Sequence, residues 1–388
     1  MSWETKIPAR LIDFANRVHP NNNTIIGVKM IASGGGSGTW VYIDEYDNVV
    51  EVDKQLYFKE HPIYAGIKTV QMDGNQIMVQ IPKFYIRTDD GTKFWIAPNP
   101  YNESLTDEEN EKNIEALKAK GFRLHPAFYK KNGEEVNHFA VGAYQATLYN
   151  GKCCSEPGLF PQANVSYEDW ITACNGRNST NGVNGFHMWT IYEVSALTFL
   201  ALIECCSTDF QTHYGKGRVG DDNSGMGLTS DESVVSASYR GITGLWGNAW
   251  QYVDGIFSDG SDTIVIWGND GKRSEKTTTV KVCSKDAENK TWSDGISSGY
   301  FTSLSTDIGR EYNLNDIFLP NFKSVINGYR NGNFSDRIFG RTSDGVKKVC
   351  CIGGDFASDE KDAGIFAYNF DVKYDDAFDN ITTRLATY

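Results

Sequence analysis

Gly244-Leu245-Trp246-Gly247-Asn248-Ala249-Trp250, running on as Gln251-Tyr252-Val253-Asp254-Gly255, is the stretch whose reading decides the fold of this chain. Two tryptophans four apart with Gly-Asn between them fit neither an ordinary helix nor a strand. Gly247-Asn248 favours a backbone with φ > 0, where Gly and Asn sit at least cost. The flanking indoles each carry a large apolar body to bury and an N–H that needs a partner. The motif therefore reads as a tight polar turn clamped between two buried aromatics, a scaffold element.

The rest of the composition suits such a scaffold. A chain of 388 residues predicts one large domain with a smaller module, and 21 Phe, 20 Tyr and 9 Trp supply a substantial core. The 38 glycines point to many turns and irregular loops. A net charge of −13 excludes nucleic acid as a partner, because phosphate binding needs concentrated Lys and Arg. Met1 to Pro8 has no apolar h-region, so no signal peptide is expected. The apolar run Val194 to Ile203 is too short to span a bilayer, so a soluble protein without membrane insertion is expected.

Six of the eight cysteines form adjacent pairs, Cys153-Cys154, Cys205-Cys206 and Cys350-Cys351. Neighbouring Cα atoms lie only about 3.8 Å apart, below the usual disulfide separation. No Cys-x-x-Cys spacing occurs, so a zinc ribbon is unsupported. Buried thiols acting as small hydrophobes are the expectation.

Residues 1–75 read as a β-rich N-terminal module, with strands at Trp40–Ile43 and Asn48–Val52. Ser33 to Gly38 resembles a phosphate loop only superficially, since no Gly-Lys-Ser/Thr follows, and is expected to be a surface loop. Residues 76–388 read as a second, larger domain. Gln76 to Ile86 alternates as one long strand. Thr106 to Lys120 is a solvated surface helix with a Thr106/Glu109 capping box and Gly121 just past its end. His125, held extended before Pro126, is expected to be packed rather than catalytic, and Phe139 to Tyr144 to be a strand. Trp189 to Cys206 is the main core helix, capped by Thr190 with Glu193 and apolar on most faces. Asp254 to Asp262 is rich in carboxylates but lacks calcium-loop spacing, and reads as a loop.

In the C-terminal segment, Phe366, Tyr368, Phe370, Val372 and Tyr374 alternate with Ala367, Asn369, Asp371 and Lys373, the period of a strand. Residues 355 to 388 hold seven Phe/Tyr and eight Asp/Glu against three Lys/Arg. A half-buried strand accounts for Phe366. Tyrosines set among small polar residues, such as Tyr368 and Tyr374, together with Phe378, also have the composition of a recognition surface.

The Gly-Asn-Ala-Trp stretch resembles the Gly-Asn-x-Trp-Glu-Trp signature of the formylglycine-generating-enzyme branch of the C-type-lectin fold. That fold also carries variable receptor-binding proteins of phage tails and diversity-generating retroelements. The likeness extends through Tyr57–Tyr64, Ile81–Tyr85, His125–Phe128, Val141–Tyr144, Met188–Leu197, Gly353-Gly354 and Ala363–Phe366. It implies an α+β protein with a C-type-lectin-like domain over 76–388 and a variable, receptor-contacting segment at about 350–388. On this chain the implied contact positions are Ala357, Ser358, Asp359, Tyr368, Phe370, Val372, Tyr374, Asp376 and Phe378. Ile381, Arg384 and Leu385 match the fixed framework that ends the domain.

The resembled enzymes use two cysteines after the Gly-Gly and a calcium site with Asn and Glu donors beside the Gly-Asn turn. No cysteine follows Cys351 here, and the calcium positions are Gly244 and Gln251. The expectation is therefore a non-enzymatic protein without cofactor or metal. It would bind a bacterial surface receptor, protein or glycan, from a virion tail tip or fibre, as a homo-oligomer, a trimer by likeness to related tail proteins. The alternatives are a sulfatase-modifying-type oxidoreductase relative and a purely structural virion protein.

Overall fold

The helix Ile191–Cys205 is the axis around which the rest packs. Thr190 and Glu193 form its capping box inside the protein, with the Thr190 N–H donating to Glu193 Oε2 at 2.6 Å. Every residue of the helix except Glu204 is buried, so it needs apolar partners on all sides. Phe199 supplies one of them, meeting Phe94, Phe318 and His125 edge-on at 5.7, 4.8 and 5.6 Å. The helix stops where Cys206 turns left-handed at φ 54°, its N–H donating to Leu202 O at 2.8 Å. The computed structural model describes residues 24–178, 184–220, 225–260, 263–267, 277–281, 298–305, 314–321, 325–326, 333–334, 336–339 and 345–388.

The architecture is α+β and mostly β, with three principal sheets and two short hairpins among the described residues. The first sheet has the order β2-β1-β6-β5-β7, built from β1 (Ile26–Ala32), β2 (Thr39–Ile43), β5 (Phe84–Asp89), β6 (Lys93–Pro98) and β7 (Arg123–Leu124). The second runs β11-β23-β8-β4-β3, from β3 (Lys68–Met72), β4 (Gln76–Pro82), β8 (His138–Gly142), β11 (His187–Met188) and β23 (Leu385–Thr387). The hairpins are β9 (Thr147–Tyr149) with β10 (Lys152–Cys154) and β12 (Ser238–Tyr239) with β13 (Ile242–Thr243). The largest sheet has the order β16-β15-β14-β20-β21-β19-β17-β18. Its strands are β14 (Trp250–Ser258), β15 (Thr263–Trp267), β16 (Thr277–Lys281), β17 (Ser298–Phe301), β18 (Val325–Ile326), β19 (Arg337–Phe339), β20 (Lys348–Gly353) and β21 (Gly364–Lys373). The short β22 (Ile381–Thr382) lies parallel to β14.

Several expectations are met. The helix Asp107–Ala119 carries the Thr106/Glu109 capping box, and Gly121 sits at φ 84°. Ser33 to Gly38 is a turn, not a phosphate cradle. Six of the seven described cysteines are buried and Cys206 is half-buried, all as free thiols. Burial pushes the Cys350 and Cys351 thiols well up, as expected for inert core residues. No described helix is long and apolar enough to cross a membrane.

Others are corrected. Gln76 to Ile86 is two strands, not one, and β4 and β5 belong to different sheets. Pro82 has no N–H to continue a ladder, and the following Lys83 N–H goes instead to Asn137 O at 2.9 Å. Asn48 to Val52 forms isolated bridging contacts, such as Val49 with Ile43, rather than a strand. The helix Lys54–Glu60 was not foreseen. Asp53 caps it by accepting from Leu56 N at 3.2 Å, and it buries Tyr57 and Phe58. Asp254 to Ser258 lies inside β14 rather than in a loop, and a bulge between Val253 and Phe257 lets Gly255 take φ 83°.

The division at residue 75 runs through both smaller sheets. Gly27 of β1 pairs with Trp95 of β6, and Thr69 of β3 pairs with Val79 of β4. Residues 24–75 therefore supply strands to the sheets of the larger region. Residues 1–23 lie outside the described residues.

Of the three His-Pro histidines, His61 and His125 are in the core, and His19 lies outside the described residues. His125 accepts from Ala127 N through Nδ1 at 3.1 Å and meets Ser195 Oγ at Nε2, and burial drives its pKa down to about 3. His61 accepts from Ile63 N, meets Thr24 O at 2.8 Å, and is driven down to about 4 for the same reason. Both rings stay neutral in the fold while the unfolded chain takes up protons below about pH 6.5. The unfolded state then binds more protons, so stability is full above that pH and falls as pH drops toward 4. Urea unfolding at pH 7, 6 and 5 should show a loss on the order of 1 kcal/mol per pH unit for each histidine. His125→Gln should flatten that slope while lowering the starting stability.

Candidate functional site

Gly247 and Asn248 adopt φ 69° and 63°, as the motif requires, and Trp246 and Trp250 are buried on either side. The Trp246 indole N–H donates to Gly215 O at 3.0 Å. Asn248 is fully buried and works as a four-way junction. Its Nδ2 donates to Gln145 Oε1 at 2.7 Å, and its Oδ1 accepts from Gly227 N at 2.7 Å. Its backbone N–H donates to Arg218 O at 2.8 Å, and its carbonyl accepts from Phe356 N at 3.3 Å. The side chain and backbone of one residue thus hold Gln145, Gly227, Arg218 and Phe356.

A second polar junction lies behind the first. The Arg384 guanidinium is fully buried and donates to Gly142 O (2.8 Å), Thr243 O (2.8 Å), Gly244 O (2.9 Å) and Gln251 Oε1 (3.1 Å). It also stacks over the Trp189 ring at 5.3 Å. Burial lowers its pKa to about 9, so it stays charged at neutral pH. Gln251 Nε2 donates in turn to Gly244 O and Leu245 O, both at 3.1 Å. Ile381 and Leu385 are buried beside it, consistent with a fixed framework.

These junctions position a cluster of loops. Gly220 N donates to Ser358 O at 2.9 Å. Asp355 accepts from Ser358 Oγ at 2.7 Å and from Asn380 Nδ2 at 2.6 Å. Asn164 N donates to Phe378 O at 2.8 Å, Thr229 N donates to Leu159 O at 2.8 Å, and Leu159 N donates to Thr229 Oγ1 at 3.3 Å. Residues 155–164, 216–220, 225–231, 355–363 and 374–380 are thereby tied together.

The sequence candidates divide between this cluster and the interior. Ala357 and Asp359 are exposed, Ser358 and Asp376 half-buried, and Phe378 is 41% exposed. Asp376 Oδ2 accepts from Lys373 N, which shapes its turn. Tyr374 is half-buried, edge-on to Tyr167 at 5.2 Å, with Lys347 Nζ 4.3 Å from its ring. Tyr368, Phe370 and Val372 are not exposed: they are 1%, 0% and 3% accessible. The alternation was real, but β21 is an inner strand between β20 and β19, and its aromatic face is the covered one. Its open face presents Asn369, Asp371 and Lys373.

Sequence reasoning passed over Leu159 and Phe160, which are 40% and 61% exposed. The available signal was a Pro157-Gly158 turn, with Gly158 at φ 74°, followed by two large apolar residues that join no periodic pattern.

No protein-family model matches the chain, and no curated protein matches it in sequence. Among solved structures, Treponema denticola variable protein 1 is 10% identical, covering 83% of this chain and 99% of its own, with a TM-score of 0.33. PvdO from Pseudomonas aeruginosa is 11% identical, covering 82% and 97%, with a TM-score of 0.27. Both scores are low, and neither likeness is carried into the functional reading.

The two junctions make distinct predictions. Arg384→Met leaves four buried oxygens each short of one donor, with Gly244 O still held by Gln251, and should cost about 3–5 kcal/mol in chemical denaturation. Asn248→Gly keeps the left-handed turn but removes the side-chain bonds, whereas Asn248→Ala also strains φ. The alanine variant should therefore be the less stable by about 1 kcal/mol.

Proposed function

We propose that this chain is a ligand-recognition protein with a C-type-lectin-type domain, binding a bacterial surface receptor through the loop cluster held by Asn248 and Asp355. The observation that carries the reading is large apolar side chains standing exposed on loops that are fully hydrogen-bonded at their bases. Leu159 and Phe160 project from one loop and Phe378 from the loop joined to it by the Asn164–Phe378 bond. Apolar side chains on a pre-ordered backbone bind with little loss of conformational entropy. The acidic rim around them, Asp359, Glu360, Asp375 and Asp379, is exposed and would select partners by charge.

The receptor, protein or glycan, would be met from a phage tail tip or fibre, and assembly into a homo-oligomer, a trimer in this reading, would multiply weak contacts by avidity. The reading is non-enzymatic. Tyr374 is a supporting residue in it, since its ring packs on Tyr167 and faces Phe257 at 6.2 Å.

Phe160→Ala combined with Phe378→Ala should weaken binding to receptor-bearing bacterial envelopes at least tenfold, the range of a binding hot spot of about 2 kcal/mol. The unfolding midpoint should change little, because Phe160 is 61% and Phe378 41% exposed and neither belongs to the buried core. Tyr374→Ala should instead lower the midpoint. Undiminished binding by the double variant would place the contact surface elsewhere.

A further inference from the structure

A cleft of about 630 Å³ lies between the exposed helix Asp107–Ala119 and the edge of the first sheet, formed by residues outside the loop cluster. Its volume is in the range of small-molecule sites. The floor is aromatic and aliphatic: Tyr85, Phe122, Leu124 and Pro126 line it, with Tyr101 and Tyr129 at the sides. The helix contributes Asp107, Glu111 and Glu115, and Glu135 enters from the opposite wall.

The charges do not cancel. Of the two cations that line the cleft, Lys118 is held by Glu115 at 2.8 Å and Arg123 by Asp316 in a close ion pair. Lys83 holds Glu135 at 2.8 Å. Asp107 and Glu111 have no ion-pair partner among the described residues. An acidic wall alone would be an ordinary solvated helix face, but a second feature sits beneath it. Tyr85 is only 3% exposed and lines the cleft, and its phenol makes no hydrogen bond among the described residues. Its ring is covered while its hydroxyl opens into the cleft, where a ligand can supply the partner. Burial pushes the Tyr85 pKa up to about 12, and the nearby Glu135 and Glu115 carboxylates add to the shift, so the phenol stays protonated.

The geometry points to a binding site for an alkylammonium group in this cleft, with Tyr85 and the Asp107/Glu111 carboxylates as its polar partners. An ammonium has three donors and no acceptor. The Tyr85 oxygen can accept one of them while its own proton goes to water in the cleft. The carboxylates take the others, and the tyrosine rings favour the cation over a neutral chain. The helix reads from sequence as a merely solvated element; the cleft gives its acidic face a task separate from the loop cluster.

The test uses the full chain and two soluble probes, n-butylammonium and the acetylated, amidated tripeptide Ala-Lys-Ala, with n-butanol and the matching norleucine peptide as neutral controls. Calorimetry or NMR titration at low salt should show each cation binding about tenfold tighter than its neutral control. Raising the salt should narrow that gap. Tyr85→Phe, which keeps the ring, and Glu111→Gln, at an exposed position, should each reduce cation binding severalfold without changing the unfolding midpoint. A stronger response to the peptide assigns the site to a lysine of a polypeptide, and an equal response assigns it to a free amine. Neutral controls binding as well as the cations would overturn the proposal, as would cation binding that both variants leave intact. Absence of binding by both cations at millimolar concentration would overturn it too. Phe160→Ala/Phe378→Ala should leave this binding unchanged, which separates the cleft from the receptor surface.

Discussion

The buried guanidinium of Arg384 is the interaction on which the rest of this structure depends. It draws together Gly142 at the end of β8, Thr243 and Gly244 before the tryptophan turn, and Gln251 within β14. Taking a charge out of water is expensive, and four oxygens directed at one planar group are what offset that cost. Arginine suits the position because its fixed fork reaches several acceptors at once, where a lysine ammonium would act as a single point. The Trp189 ring closes the remaining face, and its own N–H donates to Tyr252 O at 2.7 Å. Gly244 and Gln251 thus serve a cation belonging to the chain itself.

From that junction the order passes outward. Gln251 fixes the carbonyls of Gly244 and Leu245, which set the entry to the Gly247-Asn248 turn. Asn248 then distributes hydrogen bonds to Gln145, Arg218, Gly227 and Phe356, the bases of separate loops. Loops held at their bases in this way can expose Phe160 and Phe378, because bonds such as Asn164 N to Phe378 O fix the backbone that carries them. Polar residues inside the domain thus make apolar residues outside it affordable.

The acidic character of the chain acts differently in different places. Asp355 and Asp362 are buried and spend their oxygens on structure, on Ser358 and Asn380, and on Tyr300 and Arg337. Asp107 and Glu111 are not tied down in this way and face a cleft with an unpartnered phenol in its floor. Net charge of −13 states a total only; location decides whether a carboxylate is a brace or a contact.

The sequence by itself determined the elements whose cause is local. The Gly-Asn turn follows from two residues that tolerate φ > 0, and the two capping boxes follow from Thr106/Glu109 and Thr190/Glu193 at fixed spacing. The burial of the helix Ile191–Cys205 follows from its having no polar face. Tertiary structure alone decided which face of an alternating strand is covered. Tyr368, Phe370 and Val372 obey period two, but their burial comes from what packs on that face, where Tyr368 Oη reaches Phe318 O at 3.5 Å, and periodicity does not encode it. It likewise decided that Pro82 hands the chain from one sheet to another, and that residues 24–75 join strands far along the sequence. The partners of Arg384 lie up to 242 residues away, and no local pattern announces a contact made only when distant segments are brought together.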